Sequence, residues 1–191
     1  MATVARVTTI VLARHAETDW NRDGRFQGHA DPPLNDAGRA QAAALAAALA
    51  GDGIAAVYSS DLRRAAETAE IVAARLGLPV TRHAGLREID VGSWSGLTRA
   101  QVERRFPEGF ARWLQGEIGH DGETREQLAA RVHAAVLEIA SAHAGQRILV
   151  VTHGGAIRAL QRVVFGEPLA ALANCATTTF ALVDGALEHP S

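Results

Sequence analysis

The spacing of apolar residues changes period repeatedly along this chain. Residues 7–13, VTTIVLA, form a β-branched apolar run of strand length. From Asp36 to Ala50 the apolar positions take helical spacing, with Asn35 placed to cap the start and Gly51 just past the end. Residues 55–59, AAVYS, predict a second strand, and a helix follows from Asp61 to Leu76, stopping at Gly77. A short strand is predicted at Val80–Arg82. Residues 86–122, which carry Trp94 and Trp113, show no regular pattern. Thr124 caps a long helix running to about Ala142, with Leu128, Val132, Ala135, Val136 and Ile139 on one face. RILVVT (147–152) is a continuous apolar strand and GAIRALQRVVF (155–165) a helix. TTFALVD (178–184) is a last strand, ending on the hairpin turn signal Asp184–Gly185.

Strands that are apolar throughout and alternate with helices predict an α/β fold, a three-layer sandwich whose mostly parallel central sheet is flanked by helices. No repeat, low-complexity tract or linker interrupts the 191 residues, so residues 1–191 are expected to form a single domain. In such sheets ligands bind beyond the carboxyl ends of the strands, so the residues there are the first to examine. The first strand runs into Arg14 and His15. The second runs into SSDLRR, which opens a helix with Arg63 and Arg64. RILVVT delivers His153, followed by Gly154 and Gly155 at a helix start whose unpaired amides attract anions. A single strand-end histidine is more often structural. Three strand ends that bring cationic groups to one edge point instead to a shared phosphate.

Helical periodicity separates the two neighbouring arginines. Arg63, Glu67 and Glu70 share one row, a self-paired solvated face worth about a few tenths of a kcal/mol per pair. Arg64 shares its row with Thr68 and Ile71 and is the better candidate for the pocket.

Composition narrows the partners. A hydrophobic fraction of 48% with 21% charged residues is that of an ordinary globular protein, and a formal net charge of −2 gives no pull towards nucleic acid or an anionic membrane. All 19 basic residues are arginine, and without a lysine neither a Walker-type phosphate loop nor Schiff-base chemistry is open. The one cysteine, Cys175, leaves no internal disulfide and no cysteine-built zinc site, and the eight histidines show no H-E-x-x-H spacing. No metal or cofactor is therefore expected. Without a signal-peptide pattern or an apolar run of roughly 18 residues, the expected compartment is the cytoplasm.

RHAET (14–18), WNRDGRFQGHADPPLNDAG (20–38), SSDLRRAAETA (59–69), LREIDVGSWSG (86–96) and VTHGGAIRAL (151–160) together resemble the histidine phosphatase superfamily, in its phosphoglycerate-mutase-like branch. The resemblance implies that His15 attacks phosphorus and becomes a phosphohistidine. It implies that Arg14, Arg64 and His153 hold the phosphoryl oxygens and that Glu88 gives the leaving group its proton. It places Asn21, Gln27 and Gly154 along the phosphate pocket, and implies a homodimer and a small-molecule phosphate ester as substrate. The chemistry suits these residue types. Neutral imidazole is a nucleophile near pH 7, nearby arginines favour that neutral form, and a guanidinium fork matches two phosphate oxygens at once. On spacing alone Glu88 is equally a surface carboxylate paired with Arg87, and Glu17 and Asp19 are rival acids.

Two positions depart from the family pattern. Ala16 stands where glycine is usual, and its methyl is expected to narrow the pocket mouth slightly. Ser95 replaces a glutamate, leaving Glu88 as the single acid. Gly155 stands where mutases commonly carry asparagine, which favours a phosphatase over a cofactor-dependent phosphoglycerate mutase; a non-catalytic phospho-ligand binder is the third reading. A cap or specificity segment is expected at about 93–122, where Trp94, Phe106, Phe110 and Trp113 are interspersed with Arg99, Arg104, Arg105 and Arg112. Simple packing of that aromatic stripe is the alternative.

Overall fold

The computed structural model describes residues 7–166 and 172–190. Its centre is a six-stranded sheet of β1 (Thr8–Arg14), β2 (Ile54–Ser59), β3 (Val80–Arg82), β4 (Arg147–Thr152), β5 (Thr177–Val183) and β6 (Ala186–Glu188), in the order β3-β2-β4-β1-β5-β6. The β1–β4, β2–β4 and β2–β3 pairs are parallel, and the β5–β6 hairpin joins β1 antiparallel. The sheet is thus mostly parallel, as its continuously apolar strands predict. The Asp184–Gly185 turn adopts the positive φ values such a hairpin needs, 48° and 84°.

Helices cover both faces because each central strand sends alternate side chains to opposite sides. Ile10, Leu12, Ile148, Val150 and Phe180 pack with α6 (Arg125–Ser141) and α7 (Gly154–Phe165) on one face. Val11, Ala13, Leu149 and Val151 pack with α2 (Asp36–Ala48) and α3 (Arg63–Leu76) on the other. The five α6 residues expected on one face are all buried. Asn35 caps α2 through Gly38 N–H, and Gly77 ends α3 in the left-handed conformation. The start of α3 lies two residues beyond the expected Asp61, because the Asp61 carboxylate is engaged by Arg87 instead of capping a first turn.

Residues 93–122 hold more structure than their pattern predicts. They form α4 (Arg99–Arg105), opened by the Thr98 capping box, and α5 (Pro107–Leu114), opened by a proline in its first turn. Both are short, which is why no long periodicity is visible. Val91, Trp94, Val102 and Phe110 give this segment a small core of its own, with Phe26 and Trp113 edge-on to Trp94 at 5.4 and 6.2 Å between centroids. The arginines there serve that packing: Arg99 lies over Phe110 and Trp113, Arg105 over Phe106, and Arg112 pairs with Glu117. Gly109 and Gly119 bring α5 and the chain after it into backbone contact, since a Cβ at either would overlap the other's carbonyl oxygen. No helix among the described residues is long and apolar enough to cross a membrane.

Leu149 sits fully buried at the centre of β4. Leu149→Ala is expected to cost about 2–5 kcal/mol through lost burial and the cavity left behind, read as a lower midpoint in urea unfolding.

Candidate active site

The three adjacent strands β2, β4 and β1 end almost level, with Arg14 opposite Thr152 and Ser59 opposite Val151. The ladder continues one residue further: His15 N–H donates to Thr152 C=O (2.8 Å) and Ser60 N–H to Val151 C=O (2.9 Å). His15 and His153 therefore emerge side by side, with ring centroids 5.2 Å apart. Both are buried. His15 Nδ1 lies 2.7 Å from the Ala16 carbonyl, an acceptor only, so Nδ1 carries the hydrogen and Nε2 keeps a free lone pair. Burial, then the charges of Arg64 and Arg14, hold the His15 pKa well below the ordinary 6.5, against a smaller opposing effect of the Ala16 bond. His153 is depressed for the same leading reason, burial, then by Arg64 and His15. Neither His153 ring nitrogen has a partner among the described residues.

Arg64 is delivered from the first turn of α3 and is fully buried. It donates through Nη1 to Ala30 C=O (2.7 Å) and through Nη2 to Gly28 C=O (2.8 Å), while Nε stays unpartnered. Burial pushes its pKa down to about 10, so it remains charged at neutral pH. Arg63 turns outward to Glu67 at 2.6 Å, as the helical rows predict, although Glu70 pairs with Arg82 instead of joining that row. Arg14 donates Nη1 to Leu172 C=O (2.7 Å) and leaves Nε free.

Glu88 enters from the turn after β3. Its Oε2 accepts Gly155 N–H and its Oε1 accepts Ile89 N–H, both at 2.9 Å. A Cβ at position 155 would overlap Oε1, so this placement of the carboxylate requires glycine there. The Glu88 carbonyl is held by the His29 ring (2.9 Å) and by Arg131 (3.3 Å). The alternative pairing with Arg87 is overturned: Arg87 binds Asp61 at 2.7 and 2.5 Å. Glu17 and Asp19 turn to Asn35 and Arg22, and neither lines the cavity.

A cavity of about 260 Å³ opens over these groups. Arg14, His15, Arg64 and Glu88 line it, together with Asn21, Gln27 and Gly154. His153 is buried, with its ring beside that of His15, and is not among the lining residues. Asn21 spends its Oδ1 on the Thr18 capping box, so its amide nitrogen is the free end. Gln27 is buried with Oε1 unpartnered. The expectation for Ala16 is corrected: its methyl packs with Leu34 and Ala42 in a separate apolar cluster and does not narrow the mouth. Its N–H is taken by Thr68, from the row of Arg64. Ser95 bonds the Gln27 carbonyl at 3.2 Å and lies outside the cavity wall.

The outer wall holds residues that sequence reasoning missed. Arg25, Arg125, Arg158 and His120 line it; of the aromatic stripe expected to cap the pocket only Trp113 reaches it, and none of the four interspersed arginines does. Arg158 was legible in principle, one helical turn after Gly154 on the same face of α7. His29 and Arg131 gave no local signal. Among the described residues, no group of three or more His, Cys, Asp or Glu side chains is placed to share a metal ion.

Comparison with known proteins identifies the family. The model of the histidine phosphatase superfamily (branch 1) matches residues 10–188. A phosphoglycerate mutase-like protein of Arabidopsis thaliana is 40% identical over 92% of this chain and 80% of its own length. A metal-independent phosphoserine phosphatase of the same plant is 42% identical over 82% of this chain and 68% of its own. A mycobacterial glucosyl-3-phosphoglycerate phosphatase solved with VO3 superposes with a TM-score of 0.83 at 33% identity, covering 92% of this chain and 97% of that one. The chain belongs to the histidine phosphatase superfamily.

Proposed function

We propose that this chain hydrolyses small phosphate monoesters in two steps through a phosphohistidine on His15. The observation that carries the reading is the convergence of Arg14, His15, Arg64 and His153 at three level strand ends, with Nδ1 of His15 tied to Ala16 and Nε2 left free. Phosphoryl transfer asks for an in-line nucleophile and for positive partners on the non-bridging oxygens, and little else. Nε2 attacks phosphorus while the ester P–O bond breaks. The unspent N–H groups of Arg14 and Arg64 and the unpartnered ring of His153 take the oxygens, a task in which each donor is worth about 10²–10³ in rate. Asn21, Gln27 and Gly154 bound the same space.

The departing alkoxide takes a proton from Glu88. Water then attacks the phosphohistidine, returns a proton to Glu88, and releases phosphate and free His15, so the cycle balances. Gly155 favours this outcome over return of the phosphoryl group to a second substrate oxygen. A side chain at position 155 would displace the Glu88 carboxylate from where it stands. Names of the relatives, phosphoserine phosphatase and glucosyl-3-phosphoglycerate phosphatase, support phosphatase activity on small esters. Residues 93–122 act as the specificity wall, since Trp113 and His120 reach the cavity from there.

His15→Ala is expected to abolish both p-nitrophenyl phosphate hydrolysis and acid-quenched labelling of the protein by a 32P ester; undiminished turnover would overturn the nucleophile assignment. Glu88→Gln is expected to slow alkyl phosphates by about 10²–10⁴ but to change p-nitrophenyl phosphate, whose leaving group needs no proton, far less. Equal losses on both would remove Glu88 from the acid role. Stability should also report the buried neutral histidines. Their native pKa values lie below the unfolded 6.5, so below that pH the unfolded chain binds protons the native state refuses. Their contribution is complete above pH 6.5 and is lost as pH falls towards the native values. His15→Gln is expected to flatten the decline of thermal midpoint below pH 6.5, and an unchanged slope would show that this histidine is not held neutral.

A further inference from the structure

The outer cavity carries more free positive charge than a transferred phosphoryl group requires. Its two outer carboxylates already have partners: Glu123 is clasped by Arg131 at 2.9 and 2.6 Å, and Glu117 pairs with Arg112 at 3.0 Å. Arg158 and Arg125 also line the wall, and neither makes a hydrogen bond or ion pair within the described residues. Arg158 follows Gly154 and Gly155 on one face of α7, a single helical turn, about 5.4 Å, from the amides beside the phosphate site. Its charge acts on Arg14, which places the two guanidiniums in the same field.

We propose that Arg158, assisted by Arg125, binds a second anionic group of the substrate, a carboxylate or a second phosphate, carried on the alcohol that leaves. The proposal rests on the phosphatase reading and specifies its substrate class. A neutral alcohol leaves both guanidiniums unmatched, and an alcohol whose only other charge is an ammonium meets like charge. A small anionic alcohol fits a cavity of about 260 Å³ and offers the Arg158 fork two oxygens.

The test uses p-nitrophenyl phosphate hydrolysis as the signal and three competitors: propyl phosphate, 3-phosphonooxypropanoate and propane-1,3-diyl bisphosphate. At least one of the two doubly anionic esters is expected to compete about tenfold or more better than propyl phosphate, and which one does distinguishes carboxylate from phosphate. Arg158→Met, which keeps the apolar stem of this exposed residue, is expected to remove most of that preference, and Arg158→Lys to restore part of it. Equal competition by all three esters, or a preference that survives Arg158→Met, overturns the proposal. A protein that never hydrolyses p-nitrophenyl phosphate fails the phosphatase reading instead.

Discussion

Arg64 holds a charged guanidinium at 0% solvent exposure, and the rest of the site is arranged around that constraint. A lone buried ion costs several kcal/mol, so its N–H groups must be met. The carbonyls of Gly28 and Ala30 meet part of the demand, which also ties the loop after β1 and α1 (Asp19–Arg22) to α3. What remains faces the histidines. Burial, and after it the positive field of Arg64, hold the pKa values of His15 and His153 low, which on the proposed reading leaves His15 a lone pair for an incoming phosphate. On that reading the Arg64 charge contributes both to a neutral attacking ring and to the binding of the anion.

Sheet topology makes the arrangement possible. Because β4 lies between β2 and β1, residues separated by more than a hundred positions leave the sheet as neighbours and in register. The side chains at the floor need no long loops to meet. Glu88 is different, coming from the turn after a three-residue edge strand. Its place is fixed from outside, by the start of α7, by His29 and by Arg131 from α6.

That contrast explains what the amino-acid order reveals. His15, Arg64 and His153 are legible because strand ends and helical rows are local patterns, and the choice of Arg64 over Arg63 follows from a four-residue spacing. The fold is legible for the same reason. The outer wall is not. Arg25, Arg125 and His120 meet through the packing of α4, α5 and the loop before α6, and no periodicity records that assembly, although Trp113 is legible as part of the aromatic stripe. Arg99, Arg105 and Arg112 belong by sequence to the expected cap segment but cover aromatic rings or pair with a neighbour and do not reach the cavity. Ala16 misleads similarly: proximity to His15 in the chain suggests the pocket, while its methyl points to another cluster.

The backbone contact between Gly109 and Gly119 bears on how such an enzyme diversifies. A side chain at either glycine would push the two backbones apart, so the frame of the outer wall depends on both positions staying bare. Glu117, Ile118 and His120 line the cavity beside that frame and can be exchanged without touching either glycine. Any side chain at either glycine, by contrast, would alter the whole wall in a single step.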